Sequence, residues 1–145
     1  MRFMMLMIPK GYETAAPGTV PDAKAVEAMM AYNRELQEAG ILLDLNGLHP
    51  PSMGARVSFK GGAPLVTDGP FTETKEVLGG YWIINVKSKQ EAIDWALKAP
   101  NPHGEGQETH IELRQFFELE DFDQNKAVED ARKLGEKLTA QKQKK

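Results

Sequence analysis

The sequence predicts an α+β domain in which two helices cover one face of a single sheet. Three observations carry this. Two segments show the three-and-four apolar spacing of an amphipathic helix, and each lies between segments that read as strands. The strand segments "MRFMMLMI" and "YWIINV" are apolar at nearly every position, so both faces of the sheet need cover. Glycine, proline and capping residues punctuate the joints between segments.

Taken in order, residues 2–8 form an apolar run ended by Pro9, Lys10 and Gly11, as a strand buried on both faces would. A Gly-, Pro- and Thr-rich loop follows to Pro21. The first helix carries Val26, Met29, Met30, Asn33, Leu36 and Gln37 on one face. Thr19 or Asp22 suits its N-cap, and Gly40 suits the left-handed position just past its end. "ILLDLNG" is the next strand and "ARVSF" another, with Gly61-Gly62 offering the positive φ angles of a two-residue hairpin into "PLVT". In "LGGYWIINV", Leu78, Trp82, Ile84 and Val86 share one side, and Gly79-Gly80 marks a bulge or a close backbone approach. Ser88 and Glu91 form a capping box for a helix with Ala92, Ile93, Ala96 and Leu97 on one face, stopping before Pro100. "THIELRQFF" alternates as a last strand. Beyond Asp123 a thin apolar stripe of Val128, Ala131, Leu134 and Leu138 predicts a tail helix, with "QKQKK" disordered.

Two helices separated by strands that return to one sheet give the ferredoxin-like split βαβ order, here β-α-β-β-α-β with an extra hairpin. Residues 1–122 make this domain and 123–145 the tail. Two core helices leave one apolar sheet face bare, and a homodimer packed sheet on sheet is the natural cover.

The 145-residue length suits one domain, burying roughly two thirds of the unfolded chain's surface. A net charge of −3 gives no basic stripe for nucleic acid. The absence of cysteine excludes disulfides and thiolate chemistry. No run approaches the ~18 apolar residues of a membrane span, and the opening lacks a signal-peptide pattern, so the expected compartment is the cytoplasm.

Chemistry concentrates in "VTDGPFTETKE". Pro70 and Gly69 stiffen the corner that follows Asp68, holding its carboxylate in one place. Asp68 then serves either as a positioned acid or base, with Thr72 and Lys75 binding substrate, or as a turn residue in a solvated loop. His49, held before two prolines, is a base near neutral pH or an exposed histidine before a turn. Tyr12, Tyr81 and Trp82 line a pocket or belong to the core. Arg56 and Arg114 lie on polar strand faces, suited to a carboxylate ligand or to a local ion pair. His49, His103 and His110 are scattered without metal-ligand spacing, and no dinucleotide or Walker loop is present, so neither metal nor organic cofactor is expected.

The stretch "VTDGPFTETKEVLGGYWIINVKSKQEAIDWALKAP", with "MRFMMLMI", "GLHPPSMGARVSF" and "IELRQFFELEDF", resembles the YCII-related families, in particular the branch with the Asp-Gly-Pro-Phe signature. The resemblance covers roughly residues 1–122 and implies a dimeric α+β barrel of ferredoxin-like protomers. It also implies a small-molecule cleft where a first-helix histidine meets an aspartate. Here "AKAVEAMMAYNRELQEAG" has no histidine, so Asp68 matches the signature while His49 stands in from another strand. The resemblance leaves two functions. One is a cofactor-independent enzyme with Asp68 as acid/base, His49 as partner, and Thr72, Lys75, Arg114 and Tyr81 at the substrate. The other is a non-catalytic ligand-binding or interaction module tied to extracytoplasmic-function sigma factors, beside which such proteins tend to be encoded.

Overall fold

The computed structural model describes residues 1–71, 73–102 and 108–145, which form two compact units, Met1–Gln115 and Phe116–Lys145. In the first unit, β1 (Arg2–Pro9), β2 (Leu42–Gly47), β5 (Gly80–Asn85) and β6 (Thr109–Gln115) build one sheet in the order β2-β5-β1-β6. Every neighbouring pair is antiparallel. Helix α1 (Ala23–Glu38) links β1 to β2 with β5 lying between them, and α2 (Lys89–Leu97) links β5 to β6 with β1 between them. This is the split βαβ arrangement read from the sequence, an α+β fold of ferredoxin-like order.

The strand period explains how the core is divided. On β1, Phe3, Met5, Met7 and Pro9 are buried while Arg2, Met4, Leu6 and Ile8 are half-buried. Antiparallel register sets Phe3 opposite Ile84 and Met5 opposite Trp82. With Tyr32 and Leu36 from α1 and Ala92 from α2, these side chains form the core. Each full burial contributes about 1.5–3 kcal/mol of transfer free energy. Asp22 caps α1 by accepting from the Ala25 amide at 2.8 Å, and Gly40 takes φ 72° just past its end.

Four local readings change. α1 buries Tyr32, Asn33 and Leu36 while Val26 and Met30 are exposed, because the core-facing stripe is rotated towards Tyr32. The capping box of α2 is offset: Ser88 Oγ accepts from the Glu91 amide at 3.1 Å, but Glu91 accepts from the Lys87 amide, one residue early. On α2, Trp95 packs against the core and Leu97, in the last turn, is exposed. The β3 (Ala55–Phe59) and β4 (Pro64–Asp68) hairpin closes its register at Phe59 opposite Pro64, so four residues connect the strands instead of two. Gly61 and Gly62 still supply φ 69° and 114° in that connection.

The second unit carries α3 (Lys126–Gln143), capped by Asn125, whose side chain accepts from Val128 at 3.1 Å. The helix runs through most of "QKQKK", expected to be disordered, because nothing in 139–143 breaks it. Among the described residues, no helix is long and apolar enough to cross a membrane.

Candidate functional site

A cavity of about 210 Å³ opens between α1 and the β2–β5 side of the sheet. Met7, Met29, Leu45 and Trp82 supply apolar walls, and Tyr12 and Asn33 also line it. No charged side chain stands among the described residues that line it. Small residues let the strands close its floor. A Cβ at Gly79 would lie 2.9 Å from Pro9 Cγ, and one at Gly80 would lie 3.0 Å from the Asn46 carbonyl oxygen. The close approach suspected from Gly79-Gly80 is therefore real, and the amide of Gly79 donates to Met7 at 2.8 Å there. Tyr12 donates its hydroxyl to the Leu48 carbonyl at 2.6 Å, tying the turn after β1 to the end of β2, and burial raises its pKa.

A buried polar side chain, Asn33, lines the cavity at 8% exposure. The Trp82 indole N–H donates to Asn33 Oδ1 at 2.7 Å. Tyr32 meets the Trp82 ring edge-on at 5.6 Å, while its hydroxyl donates to the Trp95 carbonyl at 2.8 Å. Burial, with a smaller contribution from the Glu35 carboxylate, raises the Tyr32 pKa and keeps that hydroxyl a donor. The Trp82 ring is thus held by its perpendicular contact with Tyr32 and by its nitrogen, and it fixes the Asn33 amide.

The Asp-Gly-Pro-Phe corner is a separate construction. Gly69 donates to the Gly54 carbonyl at 2.9 Å, and a Cβ at Gly69 would fall 1.7 Å from the Pro51 carbonyl oxygen. No side chain fits there, which accounts for the glycine. The Arg56 guanidinium lies 4.0 Å from the centroid of the Phe71 ring, donates to Thr74 Oγ1 at 2.8 Å and pairs with Glu73. Phe71, Glu73 and Thr74 are thereby clasped onto β3.

The residues singled out in the sequence are distributed as follows. Asp68 is exposed at the end of β4 opposite Ala55, and its carboxylate has no hydrogen bond or ion pair with a described residue. His49 is exposed between β2 and the Pro51–Met53 turn. Neither is among the described residues lining the cavity. Lys75 is exposed beyond the clasp. Arg114 is exposed on β6, 3.9 Å from Glu112. Tyr81 borders the cavity, but its hydroxyl accepts from Asn46 at 2.9 Å and donates to Asp44 at 3.3 Å. Thr72 and His103 lie outside the described residues. Among the described residues, no three His, Cys, Asp or Glu side chains assemble as a metal-ligand set.

Asn33 was visible in the sequence only as a position on the apolar face of the first helix, shared with a second amide at Gln37, and nothing there set it apart. Glu13 gave no signal either: its Oε2 is buried without a hydrogen-bond partner among the described residues.

A family model described as the YCII-related domain matches residues 1–116. An uncharacterised protein of Rhizobium meliloti (strain 1021) is 35% identical over 88 residues, spanning 61% of this chain and 71% of the relative.

Proposed function

This chain belongs to the YCII-related family, and from that premise we propose that it binds a small, neutral, largely apolar molecule in the cavity between α1 and β5. One observation carries the reading: an apolar cavity containing a buried amide, and no charged side chain among the described residues that line it. Ligand sites are typically apolar with a few fixed polar groups, and the volume suits a molecule of one or two rings. The test is an NMR titration of the full chain with neutral one- and two-ring fragments. Saturable shifts at Met7, Met29 and Trp82, with those at Met7 and Trp82 lost in a cavity-filling Met29→Trp variant, support the reading. Shifts confined to other surfaces reject it.

A second reading, acid–base catalysis by Asp68 with His49, draws on the Asp68 carboxylate at a stiff corner, without a hydrogen-bond or ion-pair partner among the described residues. Thr72, Lys75, Arg114 and Tyr81 would then hold the substrate. Turnover that survives Asp68→Asn removes this reading. It needs substrate to cover both residues.

We also propose a homodimer formed through the sheet face turned away from the helices. Met4, Leu6, Ile8 and Ile83 make a half-buried apolar stripe there, with Arg114 and Glu112 opposite Met4 and Leu6. Leu6→Lys would place a charge in the middle of that stripe. A single mass in light scattering for both wild type and Leu6→Lys argues against the dimer.

A further inference from the structure

We infer that the ligand of this cavity carries a neutral acceptor oxygen, a carbonyl or its equivalent, which receives a hydrogen bond from Asn33 Nδ2. The inference rests on the binding role proposed above for the same cavity and adds the chemical class of its occupant. The orientation of the amide is forced. An indole nitrogen only donates, so Trp82 Nε1, 2.7 Å from Asn33, must face the amide oxygen. Rotating the amide would set two donors against each other. Asn33 therefore presents its NH₂ group away from Trp82, and that group has two hydrogens.

One hydrogen points towards Met30 Sδ at 3.8 Å, a thioether and a weak acceptor. The other has no acceptor among the described residues. Asn33 is nevertheless 8% exposed and lines the cavity. A buried, oriented donor of this kind calls for an acceptor brought by something else.

The surroundings narrow that acceptor's charge. No lysine, arginine or histidine lines the cavity among the described residues, so an anion would be buried there without a counter-charge from them. A cation would meet the positive end of the amide. A neutral oxygen on a flat apolar skeleton meets neither difficulty. Met7 and Met29, with unbranched thioether side chains, can adjust to the skeleton, so the carbonyl oxygen is the element of the ligand that the site reads.

The test uses two near-isosteric probes, 1-indanone and indane, which differ by a carbonyl in place of a methylene. Each is titrated into the full chain, following the side-chain amide protons of Asn33 and the indole proton of Trp82 by NMR. The expected result is roughly three- to tenfold tighter binding of 1-indanone, the equivalent of one net hydrogen bond, with a downfield shift of an Asn33 amide proton that indane does not cause. In Asn33→Asp, with the carboxylate ionised, the acceptor for Trp82 is kept and the donor removed; the preference for 1-indanone over indane should vanish. Should that variant fail to fold, the Asn33 proton shift in the wild type decides alone. Equal binding of both probes, with no Asn33 shift, overturns the inference and leaves the cavity's binding role standing. Binding of neither overturns both.

Discussion

Trp82 and Asn33 are joined across the core by a single hydrogen bond of 2.7 Å, from a strand of the sheet to the helix that covers it. The bond does two jobs. It satisfies an indole N–H that burial would otherwise leave unpaired, and it determines which end of the amide faces the cavity. Structure and recognition are therefore coupled at one contact.

That coupling makes Trp82→Phe informative. The substitution keeps an aromatic ring beneath Tyr32 but removes the donor, leaving Asn33 Oδ1 unsatisfied and the amide free to rotate. We expect a loss of about 1–3 kcal/mol in urea unfolding, with no change in the denaturant slope. The selectivity of the cavity for a carbonyl over a methylene should fall with it, measured by the same probe pair.

Gly69→Ala tests the clasped corner. A Cβ placed 1.7 Å from the Pro51 oxygen cannot be accommodated without moving backbone on one side. A cost of about 1–3 kcal/mol or more is expected. Hydrogen exchange should locate it: the Gly69 amide, bonded to Gly54, loses protection while β1 and β5 keep theirs. A variant as stable as wild type would mean that the corner is not packed against Pro51.

Arg56→Lys separates charge from geometry. Lysine keeps the positive charge near Glu73 but cannot bond Thr74 and lie flat over Phe71 at once. The loss should be small, about 1 kcal/mol, and local. It should show as faster exchange of the Thr74 amide, which bonds the Phe71 carbonyl at 3.1 Å.

Much of this architecture is legible in the sequence. Period-two and period-3.6 patterns, the Asp22 and Ser88 caps and the glycines at 40, 61 and 62 mark local preferences that the fold keeps. The order of segments then selects the β2-β5-β1-β6 sheet. What the sequence conveyed poorly was the rotation of each element about its axis. Val26 and Leu97 satisfy the apolar spacing of their helices as well as Tyr32 and Trp95 do, and only packing decides which pair turns inward. The candidate site follows the same logic. Asp68 attracts notice because a carboxylate at a stiff corner is locally conspicuous, whereas Asn33 gains its meaning from Trp82, 49 residues away. Long-range partners of that kind leave no trace in spacing.

The pH dependence of one exposed contact can be given a sign. Lys10 Nζ and Glu108 Oε2 lie 2.6 Å apart, joining the end of β1 to the start of β6. The hydrogen bond and charge of Lys10 lower the Glu108 pKa, and those of Glu108 raise that of Lys10. A lowered carboxylate pKa means stability present above the unfolded value of 4.5 and lost as pH falls through the folded value. A raised lysine pKa means stability present below 10.5 and lost as pH rises through its folded value. The contact therefore holds through neutral pH and fails at both extremes. Carboxyl-carbon NMR should find Glu108 titrating below the ordinary glutamate range, with Lys10→Gln moving it back up.

The central claim is that the cavity between α1 and β5 is a binding site. The most direct measurement is a titration of 1-indanone into the full chain, reading the Trp82 indole proton in wild type and in Met29→Trp. Met29 lines the cavity while remaining half-exposed, so a larger side chain can fill the space with little disturbance to the core. The account predicts a saturable shift in the wild type and none in the variant. An unmoved Trp82 proton in the wild type, or an equal shift in both proteins, would contradict it.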